Sequence, residues 1–410
     1  MKYLVLLGDG MADYPVHELG GLTPLQKAYK PNMDEMAKHA EIGLVKTVPD
    51  HLNPPGSDIA NMSVMGYDPD KYYTGRSPLE AVSMGIELAD DDVAIRCNLV
   101  TLSDEERYED TTMLDYSSDE ITTKESAELI RFLDEKLGTD AIRFYPGISY
   151  RHCVVLKHKT TMDAVFTPPH DISGRKIASY LPAGEDGMWL FEIMKKSREL
   201  LKDHPVNKER IRRGLRPAVS IWLWGQGRRP SFDSFEARHH VKGAVISAVD
   251  LVKGLGLCAG LYVPDIEGAT GNIDTNFEGK ADAAIEFYKN GGDFVYLHVE
   301  APDECGHRHE TENKVRAIEY LDSRILSKVL DYFKESKEDY KIMVLPDHPT
   351  PLSIMTHTHD PVPYMIYDSR TKTCAHDTHN TSAVYTEQYA SETGIFEQNG
   401  YKLIEHFLEK

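Results

Sequence analysis

The sequence predicts an α/β fold with a smaller α+β domain inserted into it. Three observations carry that prediction. Apolar runs end abruptly in Gly or Asp, amphipathic helical patterns lie between them, and the alternation lapses in the middle of the chain. With 410 residues, the chain can form roughly two to three domains of about 150 residues each, and can bury a large core.

The first element is Lys2-Tyr3-Leu4-Val5-Leu6-Leu7, apolar after Lys2 and halted at Gly8-Asp9-Gly10. A run without polar alternation reads as a strand covered on both faces, as in a parallel sheet. Three later runs read alike: Phe294 to Val299, Ile342 to Leu345 and Tyr364 to Tyr367. Between them, Lys314 to Phe333 sets Val315, Ile318, Leu321, Ile325, Leu326 and Val329 on one helical face. From about Asp92 to Glu236 the apolar runs shorten and loop chemistry increases, as in Thr167-Pro168-Pro169-His170-Asp171. Val154 to Leu156 and Val219 to Trp224 read as strands there, and Trp189 to Lys202 as a helix. Lys195 to Arg216, mixed in charge, reads as a solvated helical hairpin. The α/β pattern resumes at Lys242 to Ala248. Residues 1–92 and 240–410 are thus expected to form one discontinuous domain, with 93–239 inserted.

Lys+Arg 46 against Asp+Glu 66 gives a net charge of −20. That balance argues against a general nucleic-acid binder, which needs clustered cations for phosphates, but leaves room for a local basic pocket. The longest apolar runs fall far short of the roughly 20 residues of a spanning helix, so no membrane association is expected. The N-terminal run reads as a buried strand rather than a secretory leader. Five scattered cysteines (Cys97, Cys153, Cys258, Cys305 and Cys374) without a CxxC pair fit free thiols in the cytoplasm.

Chemistry gathers past the strand ends, where open α/β sheets bind ligands. Asp9, Asp303 and Asp347 each follow a predicted strand. A single such Asp is commonly a helix N-cap, but three after separate strands are harder to dismiss. Of the 18 histidines, eight lie between His298 and His379, about twice an even spread. Asp303 and His307 are at i, i+4, on one side of a helical turn. Asp347-His348 is an adjacent pair, and His357 and His359 alternate in Thr356-His357-Thr358-His359-Asp360-Pro361-Val362-Pro363. Carboxylate and imidazole donors without thiolate suit Mn or Zn, and Mg less well. Ser57 follows Pro54-Pro55-Gly56 and opens a predicted helix. Taken alone it is an ordinary N-cap; with a metal and a helix dipole beside it, it is a nucleophile poised for phosphoryl transfer.

Together these segments resemble the alkaline phosphatase superfamily, and most closely the archaeal-type cofactor-independent phosphoglycerate mutases. The matching segments are Leu7-Gly8-Asp9-Gly10-Met11, Pro55-Gly56-Ser57-Asp58-Ile59-Ala60-Asn61, Gly75-Arg76-Ser77-Pro78-Leu79-Glu80-Ala81, Gly268-Ala269-Thr270-Gly271, Val299 to His307 and Thr356 to Pro363, in that order over nearly the whole chain. The resemblance implies an alkaline-phosphatase-like mixed sheet flanked by helices, with a substrate-covering insert. It implies two divalent metal ions, one on Asp303, His307 and His357, the other on Asp9, Ser57, Asp347 and His348. Ser57 would carry the phosphoryl group between 3-phosphoglycerate and 2-phosphoglycerate, with no 2,3-bisphosphoglycerate needed. His359 would lie behind the ligands or face substrate. The small phosphorylated substrate needs cations besides metal, and Arg76, Arg96, Arg151, His170, Asp171 and Lys280 are the candidate contacts. Arg175, after His170-Asp171-Ile172-Ser173-Gly174, is a further basic candidate.

Competing readings are a phosphotransferase with another acceptor, homoserine kinase-like, a phosphohydrolase, and a non-catalytic metal-binding scaffold. The chain has neither a GxxxxGK[ST] loop nor a strand-following GxGxxG, which counts against a conventional kinase.

Overall fold

The computed structural model describes residues 1–371 and 382–409. Cys374, His376 and His379 lie outside the described residues. The described strands are β1 (Lys2–Gly8), β2 (Glu41–Val45), β3 (Val93–Leu102), β4 (Met113–Asp115), β5 (Ile142–Tyr145) and β6 (Arg151–Leu156). They continue with β7 (Ser220–Arg228), β8 (Gly243–Ile246), β9 (Phe294–Val299), β10 (Tyr340–Leu345), β11 (Val362–Asp368) and β12 (Phe396–Glu397). The chain divides into two compact units, one of residues 1–73 and 232–410, the other of residues 74–231.

In the first unit, seven strands form a mixed sheet in the order β12-β2-β11-β10-β1-β9-β8. Every residue of β1 is buried, as its unbroken apolar run requires. β1 lies parallel to β9 and β10, pairing Leu7 with His298 on one side and with Leu345 on the other. That register ends all three strands at one level, so the residues after them, Asp9, Glu300–Asp303 and Asp347, emerge side by side. β11 departs from the parallel expectation: it runs antiparallel to β10 and β2. Its run is equally apolar because it too is covered on both faces, so burial could not reveal its direction.

The long helical pattern after β9 contains a break. Thr311–Tyr320 and Ser327–Ser336 are α-helical, but Leu321–Leu326 between them is a π-helix. Ile318, Leu321, Ile325, Leu326 and Val329 are buried as expected, and Val315 is partly buried against the same core. The wider turn also buries Asp322, whose carboxylate accepts from the Met33 and Asn32 amides at 2.8 and 3.3 Å.

In the second unit, β4-β3-β6-β5 form a sheet to which β7 adds by pairing with β3. The unit begins at Thr74, earlier than the expected position 93. The reason lies in helix Ser77–Ser83 and the residues after it: Ala81, Ile86 and Leu88 pack against Ala94, Cys153 and Val155. The basic stretch before β7 is more than a solvated hairpin. Arg210 is buried, donating to Glu125 Oε2 at 2.8 Å, the Ser118 carbonyl at 2.5 Å and the Arg216 carbonyl at 3.0 Å. Removing Arg210 takes the donor from the buried Ser118 carbonyl and one of two arginines from Glu125, which keeps Arg213. Arg210→Met is expected to cost about 3 kcal/mol, a fall of roughly 6–12 °C in the unfolding midpoint, measurable by thermal unfolding. No helix among the described residues is long and apolar enough to cross a membrane.

Candidate active site

The ends of β1, β9 and β10 bring together the acidic and histidine residues singled out in the sequence. Asp9, Asp347 and His348 have 1% or less of their surface exposed, and Asp303 has 5%. Around Asp303, His307 Nε2 lies 3.2 Å from Oδ2 and His357 Nε2 lies 3.4 Å from Oδ1. The two imidazole nitrogens face each other at 2.9 Å. Around Asp347, His348 Nε2 lies 3.5 Å from Asp9 Oδ1, 3.5 Å from Asp347 Oδ2 and 3.0 Å from Ser57 Oγ. All seven candidate ligands therefore converge.

Local sequence explains the placement of each. Gly10 has φ +59, and a side chain there would come within 2.6 Å of Asp303 Oδ1 and 2.8 Å of its Cα, so glycine permits the close approach. Pro302 opens helix Ala301–His307, one turn of which sets Asp303 and His307 on the same side. Ser57 is not the N-cap of helix Ser57–Val64. That position belongs to Gly56, with no side-chain cap, so the Ser57 hydroxyl is free to face His348.

The donor set fits divalent cations. Two groups of side chains, Asp303–His348–His357 and Asp9–His298–Asp347, each offer ligand atoms within 4.8 Å of one another. Asp9 Oδ1 is buried and has no hydrogen-bond partner among the described residues, a costly condition for a carboxylate unless a cation satisfies it. Burial, and then the nearby Asp347 and Asp303 carboxylates, push the Asp9 carboxyl well above its usual range. Burial acts in the same direction on Asp303, but hydrogen bonds to His307 and His357 outweigh it and hold that carboxyl well below its usual range. The bond to Asp303 raises His307 to about 9.

Several residues take places in the site that the sequence did not assign them. His298 lies inside β9, donates toward Asp9 Oδ2 at 2.9 Å, and is pushed by burial to about 3. Its Nδ1 meets Ser247 Oγ at 3.1 Å. Thr350 Oγ1 donates to Asp303 Oδ1 and lies 3.3 Å from His348 Nδ1, spanning the two ligand groups. Lys280, expected to contact substrate, is instead fully buried, and its Nζ donates to the His298 carbonyl at 3.2 Å. Burial lowers it to about 8. It supports β9 from within. His359 Nε2 faces the Leu52 carbonyl at 2.9 Å.

In the second unit, Arg96 and Arg151 share one face of the sheet, and Arg76, before helix Ser77–Ser83, meets Arg96 at Glu80. Arg96 pairs across β3 with Trp224 and Cys153, and Asn98 with Arg151. Arg76 Nε and Arg96 Nε bind opposite oxygens of Glu80 at 2.8 and 3.1 Å. The Arg96 guanidinium lies 4.2 Å from the Trp224 ring centre, and His170 meets the same ring edge-on at 5.3 Å. Asp171 lies 3.6 Å from His170 Nε2. Arg175 instead reaches the Tyr180 hydroxyl at 3.3 Å. Three guanidinium groups near one carboxylate leave a cationic excess suited to an anion.

Comparison with known proteins gives this arrangement a family. A curated protein of Methanosarcina barkeri, named 2,3-bisphosphoglycerate-independent phosphoglycerate mutase, is 54% identical over 367 residues, 90% of each chain. The chain belongs to the 2,3-bisphosphoglycerate-independent phosphoglycerate mutase family. The family model itself matches residues 37–207, a span that contains Ser57, Arg76, Arg96, Arg151, His170 and Asp171. A probable mutase of the same description from Geobacter sulfurreducens is 49% identical over 411 residues, the full length of both chains. Among solved structures, a protein of Pyrococcus horikoshii aligns with TM-score 0.81 at 29% identity, covering 99% of this chain and 96% of that one. The family resemblance read from the sequence and its α/β fold, a mixed sheet flanked by helices, therefore hold.

Proposed function

We propose that this protein is an isomerase that interconverts 3-phosphoglycerate and 2-phosphoglycerate through a phosphoserine at Ser57, without 2,3-bisphosphoglycerate. The observation that carries the reading is the convergence of Ser57 with six buried or half-buried acidic and imidazole side chains at one end of the sheet. Asp303, His307 and His357 would hold one divalent ion and Asp9, Ser57, Asp347 and His348 the other, with Mn or Zn favoured by the donor chemistry and Mg next. When bound, such ions supply positive charge to the phosphoryl oxygens and favour the ionised serine.

The chain's own groups account for the rest. Ser57, at the first position of its helix, presents Oγ where the helix dipole favours an incoming phosphoryl group. The new Oγ–P bond forms as the bond from phosphorus to the C3 oxygen breaks. The serine proton is lost, and the departing oxygen takes one up. The C2 oxygen of glycerate then bonds to phosphorus as the Oγ–P bond breaks, the C2 hydroxyl loses its proton, and Ser57 Oγ takes one up. Arg76, Arg96 and Arg151 would hold the carboxylate or the phosphoryl oxygens, with His170 and Asp171 beside them. Retention of glycerate requires that water be kept from the phosphoserine. The cysteine pattern supports a cytoplasmic setting.

The test is phosphorus NMR of the Mn-loaded protein with 3-phosphoglycerate and no 2,3-bisphosphoglycerate. The 2-phosphoglycerate resonance is expected, with little inorganic phosphate. Free phosphate alone would make the protein a hydrolase and overturn the reading.

A further inference from the structure

Asn61 lies one helical turn after Ser57 and has no exposed surface. Its Nδ2 donates to the Ser57 carbonyl at 2.9 Å and to Asp347 Oδ2 at 2.7 Å. Its Oδ1 accepts from the Tyr296 hydroxyl at 2.6 Å. Tyr296, on β9, is equally buried. The chemistry of the partners fixes this amide. A carbonyl and a carboxylate are both acceptors, so the NH2 must face them, and the oxygen must then face a donor. Reversing the amide would set three oxygens against one another. The other Asp347 oxygen, Oδ1, accepts from the Gly10 amide at 3.1 Å and the His348 amide at 2.9 Å. The carboxylate is thus held by its own neighbour's amide and by donors from two other segments, and among the described residues Asn61 provides its one hydrogen bond to the serine helix.

A buried polar chain of this kind is costly unless each member is satisfied, and then it specifies one geometry. An apolar pair would fill the same volume without that cost. What an apolar pair could not do is tie the first turn of the Ser57 helix to the end of β10.

We propose that Asn61 and Tyr296 are positioning residues that lock the Ser57 helix to the Asp347 carboxylate, so that nucleophile and ligand keep one relative geometry. The inference rests on the reading in which Ser57 is the nucleophile and Asp347 a metal ligand. Neither Asn61 nor Tyr296 touches substrate in this scheme; both act through the groups they hold.

Tyr296→Phe keeps the ring and removes the donor, and Asn61→Leu keeps the approximate volume and removes all three bonds. Each Mn-loaded variant is titrated with a chelator while bound Mn is counted, and the rate of phosphoserine formation is followed separately. Outer partners of metal ligands typically change metal affinity or activity by about 10–100-fold. The expected result is a loss in that range at one of the two Mn sites, with the other unchanged, and a parallel fall in kcat at constant KM.

Mn affinities and phosphoserine formation matching the parent in Tyr296→Phe would overturn the proposal. So would equal weakening of both sites alongside a lowered unfolding midpoint, because that is the signature of a purely structural role. Should Asn61→Leu fail to fold, Tyr296→Phe decides alone. Ser57→Ala in the same assay separates the two levels: activity retained there defeats the nucleophile assignment, whereas activity lost there but parental behaviour in Tyr296→Phe defeats this inference alone.

Discussion

Ser57→Ala is expected to lower mutase turnover by a factor on the order of 10^4 to 10^6, the scale of losing a nucleophile whose partners cannot replace it. Phosphorus bound to the protein should vanish with it, by NMR of the denatured and desalted protein after exposure to 3-phosphoglycerate. Folding should be unaffected, for a structural reason. A serine that caps a helix contributes about 1 kcal/mol, but here Gly56 occupies the N-cap position and no side chain caps the helix. The Ser57 hydroxyl faces His348 Nε2 at 3.0 Å, and no hydrogen bond that supports the helix is lost with it. The unfolding midpoint should therefore stay close to that of the parent protein. Full turnover in this variant would sink the phosphoserine mechanism; a large loss of stability would mean the hydroxyl serves the fold.

The same contrast explains how much the sequence could reveal. Asp9, Asp303 and Asp347 were legible because each follows an unbroken apolar run, and parallel strands in register deliver their next residues to one place. His307 and His357 were legible through spacing. The roles of His298, Asn61, Tyr296 and Thr350 were not, because each sits within an element or a loop whose local pattern it fits. A histidine in a buried strand, or an asparagine in a short helix, declares its partner only when the register is known. Lys280 was misplaced because a lysine near the motifs reads as a cation for substrate, and its depth could not be seen. The start of the insert was set too late because helix Ser77–Ser83 precedes the change in sequence pattern near Asp92, yet Ala81 and the residues following it pack in the second unit. β3, the longest strand, went unread: Arg96 and Asn98 interrupt its apolar run. Across the sheet Asn98 pairs with Arg151, and Arg96 pairs with Trp224.

Asp9→Asn is expected to have opposite effects on stability with and without metal. The Asp9 carboxylate is buried beside Asp347 and Asp303, and one of its oxygens has no hydrogen-bond partner among the described residues. A carboxyl whose pKa is raised by folding holds its proton more tightly in the folded chain than in the unfolded one. Metal-free stability therefore falls as pH climbs above about 3.9, the unfolded value, toward the higher folded value. The penalty grows with pH until that folded value is passed. Asparagine removes the charge, keeps an oxygen for the His298 Nε2–H, and places an NH2 where it can donate to His348 Nε2, 3.5 Å from the present Oδ1. The metal-free variant should unfold at a higher temperature than metal-free parent at pH 7, by roughly 2–4 °C for each kcal/mol relieved. Addition of Mn should reverse the order, because the parent gains a tightly bound ion and the variant does not. Turnover should fall by a factor on the order of 10^2 to 10^3, as when a single charge-stabilising group is removed from an active site. A metal-free Asp9→Asn protein less stable than its parent would place Asp9 among the residues that hold the sheet together. The predicted inversion would instead identify the carboxylate cluster as strain kept in the fold for the sake of the metals.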